Sequence, residues 1–265
     1  MTFRARRPYN RGVARLIVAA MLGALLWASS GAVASDARAA VEAFLARFSE
    51  AQLTSLAIEQ TFTLYDPTGR YAQSTGEQRV SMKLPRRQRI EQTIEGRREV
   101  RLVVDDAVWI RRRDGKVHEA PRAAPGRDAS HLLVPARRSA ADLLAEWRGL
   151  GIRDGITHVT RHNGREVTVI GAAAGDRQSA AVWLDPEYGV VRVITREKLP
   201  APYGESLMDL TLSEHRPLVG GYYYPYREEW FVNGKLLILI VTRSIVANPP
   251  LSDALFDPAA LGRER

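Results

Sequence analysis

From Leu56 onward the chain changes sides residue by residue. Leu56, Ile58, Phe62 and Leu64 alternate with Ala57, Glu59, Thr61 and Thr63, and Val80, Met82 and Leu84 alternate with Arg79, Ser81 and Lys83. Ile90, Gln92 and Ile94 alternate with Arg89, Glu91 and Thr93, and Val100, Leu102 and Val104 with Glu99, Arg101 and Val103. A period of two places one chemical character on each face of a strand, so these segments read as half-buried antiparallel strands. Turn signals separate them: Asp66-Pro67-Thr68-Gly69, Asp105-Asp106, Asp114-Gly115, Asn163-Gly164, Asp185 to Gly189 and Asn233-Gly234. The spacing predicts one domain of about eleven strands, α+β but mostly β.

Two helices interrupt the pattern. Before the first strand, Val41, Phe44, Leu45, Phe48 and Ala51 recur at helical spacing, with Ser35 or Asp36 as the cap. A second helix, capped by Ser139, carries Leu143, Leu144 and Trp147 toward Gly149 or Gly151. Residues 120–128 and 199–205, rich in Pro and Gly, are expected as long loops. A sheet this wide must curl or split. Curled, with helices across its mouth, it encloses an apolar cavity; flattened into a sandwich, the same residues form a packed core. Between Ile94 and Arg97, a two-residue turn at Glu95-Gly96 would set Ile94 opposite Arg97 and Ile90 opposite Arg101. A three-residue loop through Arg97 pairs apolar with apolar, and is the expectation.

The formal charge of +8 is misleading as to partners. Five arginines (Arg4, Arg6, Arg7, Arg11 and Arg15) precede an apolar run from Leu16 to Trp27, and no acidic residue occurs before Asp36. With Ala32-Val33-Ala34 as a cleavage pattern, residues 1–34 read as a signal peptide cut before Ser35, its general secretory form favoured over a twin-arginine one; a retained anchor is the competing reading. Taking those five from 38 leaves 33 basic against 30 acidic residues, a net charge of +3 over residues 35–265. The excess gathers between Lys83 and Lys116, where eleven Lys/Arg face six Asp/Glu. Nucleic acid is therefore not an expected partner. Arg86, Arg87, Arg111, Arg112 and Arg113 could dock on anionic headgroups or an acidic partner, but a solvated hairpin edge that resists strand pairing is the favoured reading.

The chain has no cysteine, which excludes disulfides, thiolate metal sites, a cysteine nucleophile and lipid attachment at a mature N-terminal Cys. His158 and His162 lie in a β segment, where four residues span ~13 Å, too far for one metal ion. His118, His215 and Ser130-His131 have no catalytic context, and Glu228-Glu229 points one carboxylate to each face of a strand. Neither an enzyme nor a cofactor or metal site is expected.

The order of features resembles the LolA-like family of outer-membrane lipoprotein-sorting and carrier proteins. The resemblance rests on the opening helix followed by Leu56-Ala57-Ile58-Glu59-Gln60-Thr61-Phe62, and on Gly76 through Met82-Lys83-Leu84-Pro85 into Arg89-Ile90-Glu91. It continues in the stretch from Leu102 to Ile110, in Leu132 to Arg138 with its helix to Trp147, and in Asn248-Pro249-Pro250-Leu251 ending at Leu255-Phe256. It implies a strongly curved, incomplete antiparallel barrel, covered by two or three helices, that holds acyl chains in its interior. Family carriers place an Arg directly before the strand-ending Pro to hold the lid; here Leu84 stands there. The inferred lining is Ile58, Phe62, Leu64, Val80, Met82, Ile90, Ile94, Leu102 and Val104, with Leu143 and Trp147 from the lid helix and Met208 and Leu210 from a later strand. Those residues could equally form a filled core.

The implied function is periplasmic carriage of acylated cargo, lipoprotein or lipid, by a monomer between an inner-membrane transporter and an outer-membrane acceptor. A lipid-responsive envelope sensor or accessory subunit, and a ligand-free structural β protein, are the other readings.

Overall fold

The computed structural model describes residues 36–264 except 106, 113 and 121–138. The expected signal peptide, Arg113, Ser130-His131 and the segment from Leu132 to Arg138 fall outside the described residues. Helix α1 (Ala37–Glu50) starts at Asp36, whose carboxylate accepts from the Arg38 N–H at 2.9 Å. Strands follow at Ser55–Tyr65 (β1), Ala72–Lys83 (β2), Arg87–Ile94 (β3), Arg97–Val104 (β4), Ala107–Arg111 (β5) and Val117–Ala120 (β6). Helix α2 (Ala140–Gly149) is capped by Ser139, as the sequence predicts, and the Asp142 carboxylate returns a bond to the cap. Then come Thr157–His162 (β7), Arg165–Ile170 (β8), Ala181–Asp185 (β9), Gly189–Leu199 (β10), Gly204–Val219 (β11), Tyr222–Val232 (β12) and Lys235–Ala247 (β13). A 3-10 turn at Asp253–Phe256 and a short helix α3 (Pro258–Leu261) end the chain.

The thirteen strands among the described residues form one antiparallel sheet that is not closed, in the order β6-β5-β4-β3-β2-β1-β13-β12-β11-β10-β9-β8-β7. The short turns that alternation predicts make two meanders, β1 to β6 and β7 to β13. The pairing of β1 with β13, with Phe62 opposite Ile240, joins them. Hairpins dominate because each connection is short enough to let neighbours in sequence pair. The expected loop at 199–205 shrinks to residues 200–203, because β10 and β11 extend to pair Leu199 with Gly204.

Both longer helices pack on one face, here the inner face. Val41, Phe44, Leu45 and Phe48 of α1 and Leu143, Leu144 and Trp147 of α2 join Leu56, Ile170, Val182, Leu184, Val193, Leu210 and Leu212 in the main core. Trp147 and Leu143 are fully buried there, and Phe48 meets Tyr222 edge to face at 5.3 Å.

The β3–β4 connection overturns one expectation. Glu95 and Gly96 have φ of +51° and +73°, which makes a two-residue turn of the primed type that follows strand twist. Ile94 therefore faces Arg97 and Ile90 faces Arg101. The pairing is tolerated because Arg97 stays exposed and Arg101 faces an inner-face cavity, while the outer face of β4 is covered. Val100 and Leu102 are fully buried on the outer face beneath Phe256, Leu261, Leu251 and Leu255 of the C-terminal segment. An outer face that is also apolar removes the penalty on which the three-residue loop was argued.

Candidate functional site

A cavity of about 390 Å³ opens on the inner face, beside the helix-packed core. Its walls come from β1 to β4 and β10 to β13: Ile58, Gln60, Gln78, Val80, Met82, Gln88, Ile90, Gln92 and Arg101 on one side, and Glu197, Leu199, Met208, Tyr224, Glu228, Trp230, Leu237, Ile238 and Ile240 on the other. The volume falls in the roughly 300–1,000 Å³ range of small-molecule pockets.

Alternation explains the apolar part of the wall. Ile58, Val80 and Ile90 stand in one cross-strand row, with Leu56 and Met82 in the next. The polar part follows from the same register. Gln60 is opposite Thr242 on β13 and opposite Gln78 on β2, which is opposite Gln92 on β3. Gln60 Nε2 donates to Thr242 Oγ1 at 3.1 Å, Gln78 Nε2 to Gln60 Oε1 at 2.5 Å, and Gln92 Nε2 to Gln78 Oε1 at 2.9 Å. The result is a head-to-tail row of three amides ending on the Thr242 hydroxyl, across four strands. Gln60, Gln78, Gln88 and Glu228 are only 4%, 9%, 6% and 6% exposed, whereas Leu237, Ile238, Ile240 and Trp230 are half-buried. Polar side chains in this wall are thus buried as deeply as its apolar ones, Ile58 being 2% and Val80 6% exposed. The Nε of Arg101 and the indole Nε1 of Trp230 are buried, with no hydrogen-bond partner among the described residues.

The residues expected to line an interior divide into four groups. Ile58, Val80, Met82, Ile90 and Met208 line the cavity. Leu143, Trp147 and Leu210 are in the packed core under α1 and α2. Phe62, Leu64 and Ile94 share the inner face beyond the amide row but are not in the cavity wall; Phe62 covers Gly76, whose added Cβ would lie 2.5 Å from the ring. Leu102 and Val104 are corrections. The two-residue turn puts them on the outer face, against the C-terminal segment, and delivers Arg101 to the cavity in their place. The cavity and the filled core both exist, side by side.

The basic stretch acquires a structural role. Arg89, 3% exposed on the outer face of β3, donates to Glu91 at 2.8 Å, to Glu264 at 2.7 Å and to the Leu255 carbonyl at 3.3 Å. Arg98 adds bonds to Glu91 and Glu264, and Arg111 donates to the Glu264 carbonyl at 2.7 Å. Lys83 and Arg87 hold Asp253 at 2.6 and 2.7 Å. Burial alone would raise the Glu91 carboxyl, but the Arg89 and Arg98 guanidiniums hold it below the usual carboxylate range. Of the arginines considered for headgroup contact, Arg87 and Arg111 thus bind the chain's own C-terminal segment. Arg86, in the β2–β3 turn, and Arg112, in the β5–β6 turn, are exposed.

The histidines do not converge. His158 Nδ1 is 3.0 Å from the Ala172 carbonyl, His162 stacks edge-on against Trp183, and His118 is exposed. His215 stacks on Tyr188 at 4.7 Å, and burial pushes its imidazole down to about 4. Among the described residues no cluster of three or more His, Asp or Glu could hold a metal ion, and no helix is long and apolar enough to cross a membrane.

No protein-family model and no curated protein sequence matches the chain. Solved structures do. A domain from Vibrio parahaemolyticus named for outer membrane lipoprotein sorting superposes with a TM-score of 0.57 at 14% identity, covering 86% of this chain and 100% of that one. A DUF1329 family protein from Desulfovibrio piger gives 0.56 at 12%, covering 85% and 99%. A LolA superfamily protein from Nitrosomonas europaea gives 0.50 at 10%, covering 80% and 96%. At such identities the likeness is one of backbone architecture: an unclosed antiparallel sheet with helices on its inner face. The chain has a LolA-like fold.

Proposed function

We propose that the chain is an exported, non-enzymatic carrier that takes the acyl portion of a lipoprotein or lipid into its inner-face cavity and delivers it toward the outer membrane. The observation that carries this reading is the 390 Å³ cavity, bounded by Ile58, Val80, Met82, Ile90, Ile238 and Ile240, on the face that also bears the helices. The LolA-like architecture supports it, as does the arginine-led apolar stretch of residues 1–34, which has the pattern of an export signal. Burying a ~16-carbon chain is worth about 12 kcal/mol gross at roughly 0.8 kcal/mol per methylene, so transit through water requires an apolar site that takes the chain out of water. The remaining carriage partners, an inner-membrane donor and an outer-membrane acceptor, belong to the same proposal.

The test is lipid analysis of protein purified from the periplasm of an expressing Gram-negative cell, followed by transfer to acceptor vesicles. A stoichiometric acylated species that moves to the vesicles is the expected result. Protein that neither co-purifies with lipid nor takes it up refutes the proposal.

A further inference from the structure

We propose that the cavity is built for an uncharged lipid bearing hydroxyl or amide groups within the part it buries, and not for a plain acyl chain or a lipid anion. This rests on the lipid-carrier reading and names the ligand class of the same site.

First, polar side chains lie at depth in this cavity. A pocket for hydrocarbon alone would put its polar side chains at the mouth, because a buried polar group without a partner is costly. Here Gln60, Gln78 and Gln88 are as inaccessible as Ile58, Val80 and Met82. The second argument is valence. A glutamine amide offers two donor hydrogens and two acceptor lone pairs. The row from Gln92 to Thr242 uses one amide hydrogen of each glutamine, so a second hydrogen of each remains for a ligand. Arg101 Nε and Trp230 Nε1 add donors that have no partner among the described residues. Acceptors come from the remaining lone pairs of the glutamine Oε1 atoms in the row. A group that both donates and accepts, a hydroxyl or an amide, fits this mixture; a methylene chain fits none of it. The third argument is charge. Arg101 faces an anion favourably, but Glu197 and Glu228 line the same space, so an ion of either sign meets a like charge in a poorly solvated site.

The test is competition. Delipidated protein is offered an equimolar mixture of 1-palmitoylglycerol, palmitate and methyl palmitate, three lipids with one chain length, and the bound species is read by native mass spectrometry. The expected result is that 1-palmitoylglycerol exceeds each of the others by about tenfold, the discrimination that one buried hydrogen bond supports. Gln78→Leu, at the centre of the row, should level the three occupancies. Gln92→Leu, at its half-buried end, makes the same test should Gln78→Leu fail to fold by thermal unfolding. Equal occupancy of the methyl ester in the wild-type protein, or a preference for palmitate, overturns the inference while leaving lipid carriage standing. Binding of none of the three overturns the carrier reading itself.

Discussion

Arg89→Met replaces a buried guanidinium by an apolar side chain of similar length on the outer face of β3. Arg89 joins four parts of the chain: its own strand through Glu91, the 3-10 turn through the Leu255 carbonyl, the C-terminal end through Glu264 and, by way of those two carboxylates, Arg98 of β4. Breaking a fully buried ion pair costs about 3–5 kcal/mol. Glu91 and Glu264 are each about a quarter exposed and keep Arg98, so solvent and the remaining partner reduce the cost. About 2–3 kcal/mol is the expected loss, read by urea denaturation near neutral pH. If the loss comes from undocking the C-terminal segment, it should be non-additive with Leu261→Ala, because Leu261 belongs to that segment and is fully buried in its contact with Val100 and Leu102. A change below about 0.5 kcal/mol, or full additivity with Leu261→Ala, would refute the claim that the basic stretch serves to fasten this segment.

Three further outcomes follow from the same coordinates. The Glu91 carboxyl is held below its ordinary value of 4.5, so its contribution is complete above that pH and is lost as pH falls through the lowered folded value; the stability gap between wild type and Glu91→Gln, measured by urea titration, should narrow at pH 3 relative to pH 7. His215 is neutral when folded, with its ionisation moved from 6.5 to about 4 by burial, so stability should fall by about 2–3 kcal/mol as pH drops between those values, and His215→Phe should flatten most of that slope. Gly76→Val forces atoms against the Phe62 ring and the Thr93 carbonyl, 2.5 and 2.6 Å from even the first added carbon; a loss of about 1–3 kcal/mol in thermal or urea unfolding is expected, and Phe62→Ala in the same chain should relieve the clash with the ring.

What the sequence makes legible depends on whether one face or two are buried. For β1 and β2 the alternation of Leu56, Ile58 and Phe62 with Ala57, Glu59 and Thr61 identifies the inner face, since the outer face of those strands is polar. For β4 the same logic fails. Val100 and Leu102 are as apolar as any inward set, and what covers them is a C-terminal piece of two short turns whose Leu251, Leu255, Phe256 and Leu261 have no period that a strand or a long helix would show. Register is a relation between two strands and their covers, and the cover is distant in sequence.

The amide row was visible in part. Gln60 falls in phase between Ile58 and Phe62, Gln78 two residues before Val80, and Gln92 between Ile90 and Ile94. A polar residue repeated on the apolar phase of three successive strands signals a lined interior rather than an oily one. Only the pairing of those strands shows that the glutamines stand side by side. Glu228 and Trp230 come from the second meander, and nothing local predicts that β13 would bring them round to face β1.

The central claim is that lipid occupies the inner face and not the apolar outer face beneath the C-terminal segment. Methyl NMR with a nitroxide-bearing monoacylglycerol analogue tests it. Broadening of the Ile58, Met82, Ile90 and Ile240 methyl signals, with those of Leu102 and Leu261 unaffected, is expected. Broadening of Leu102 and Leu261 with the inner-face methyls unchanged would contradict it.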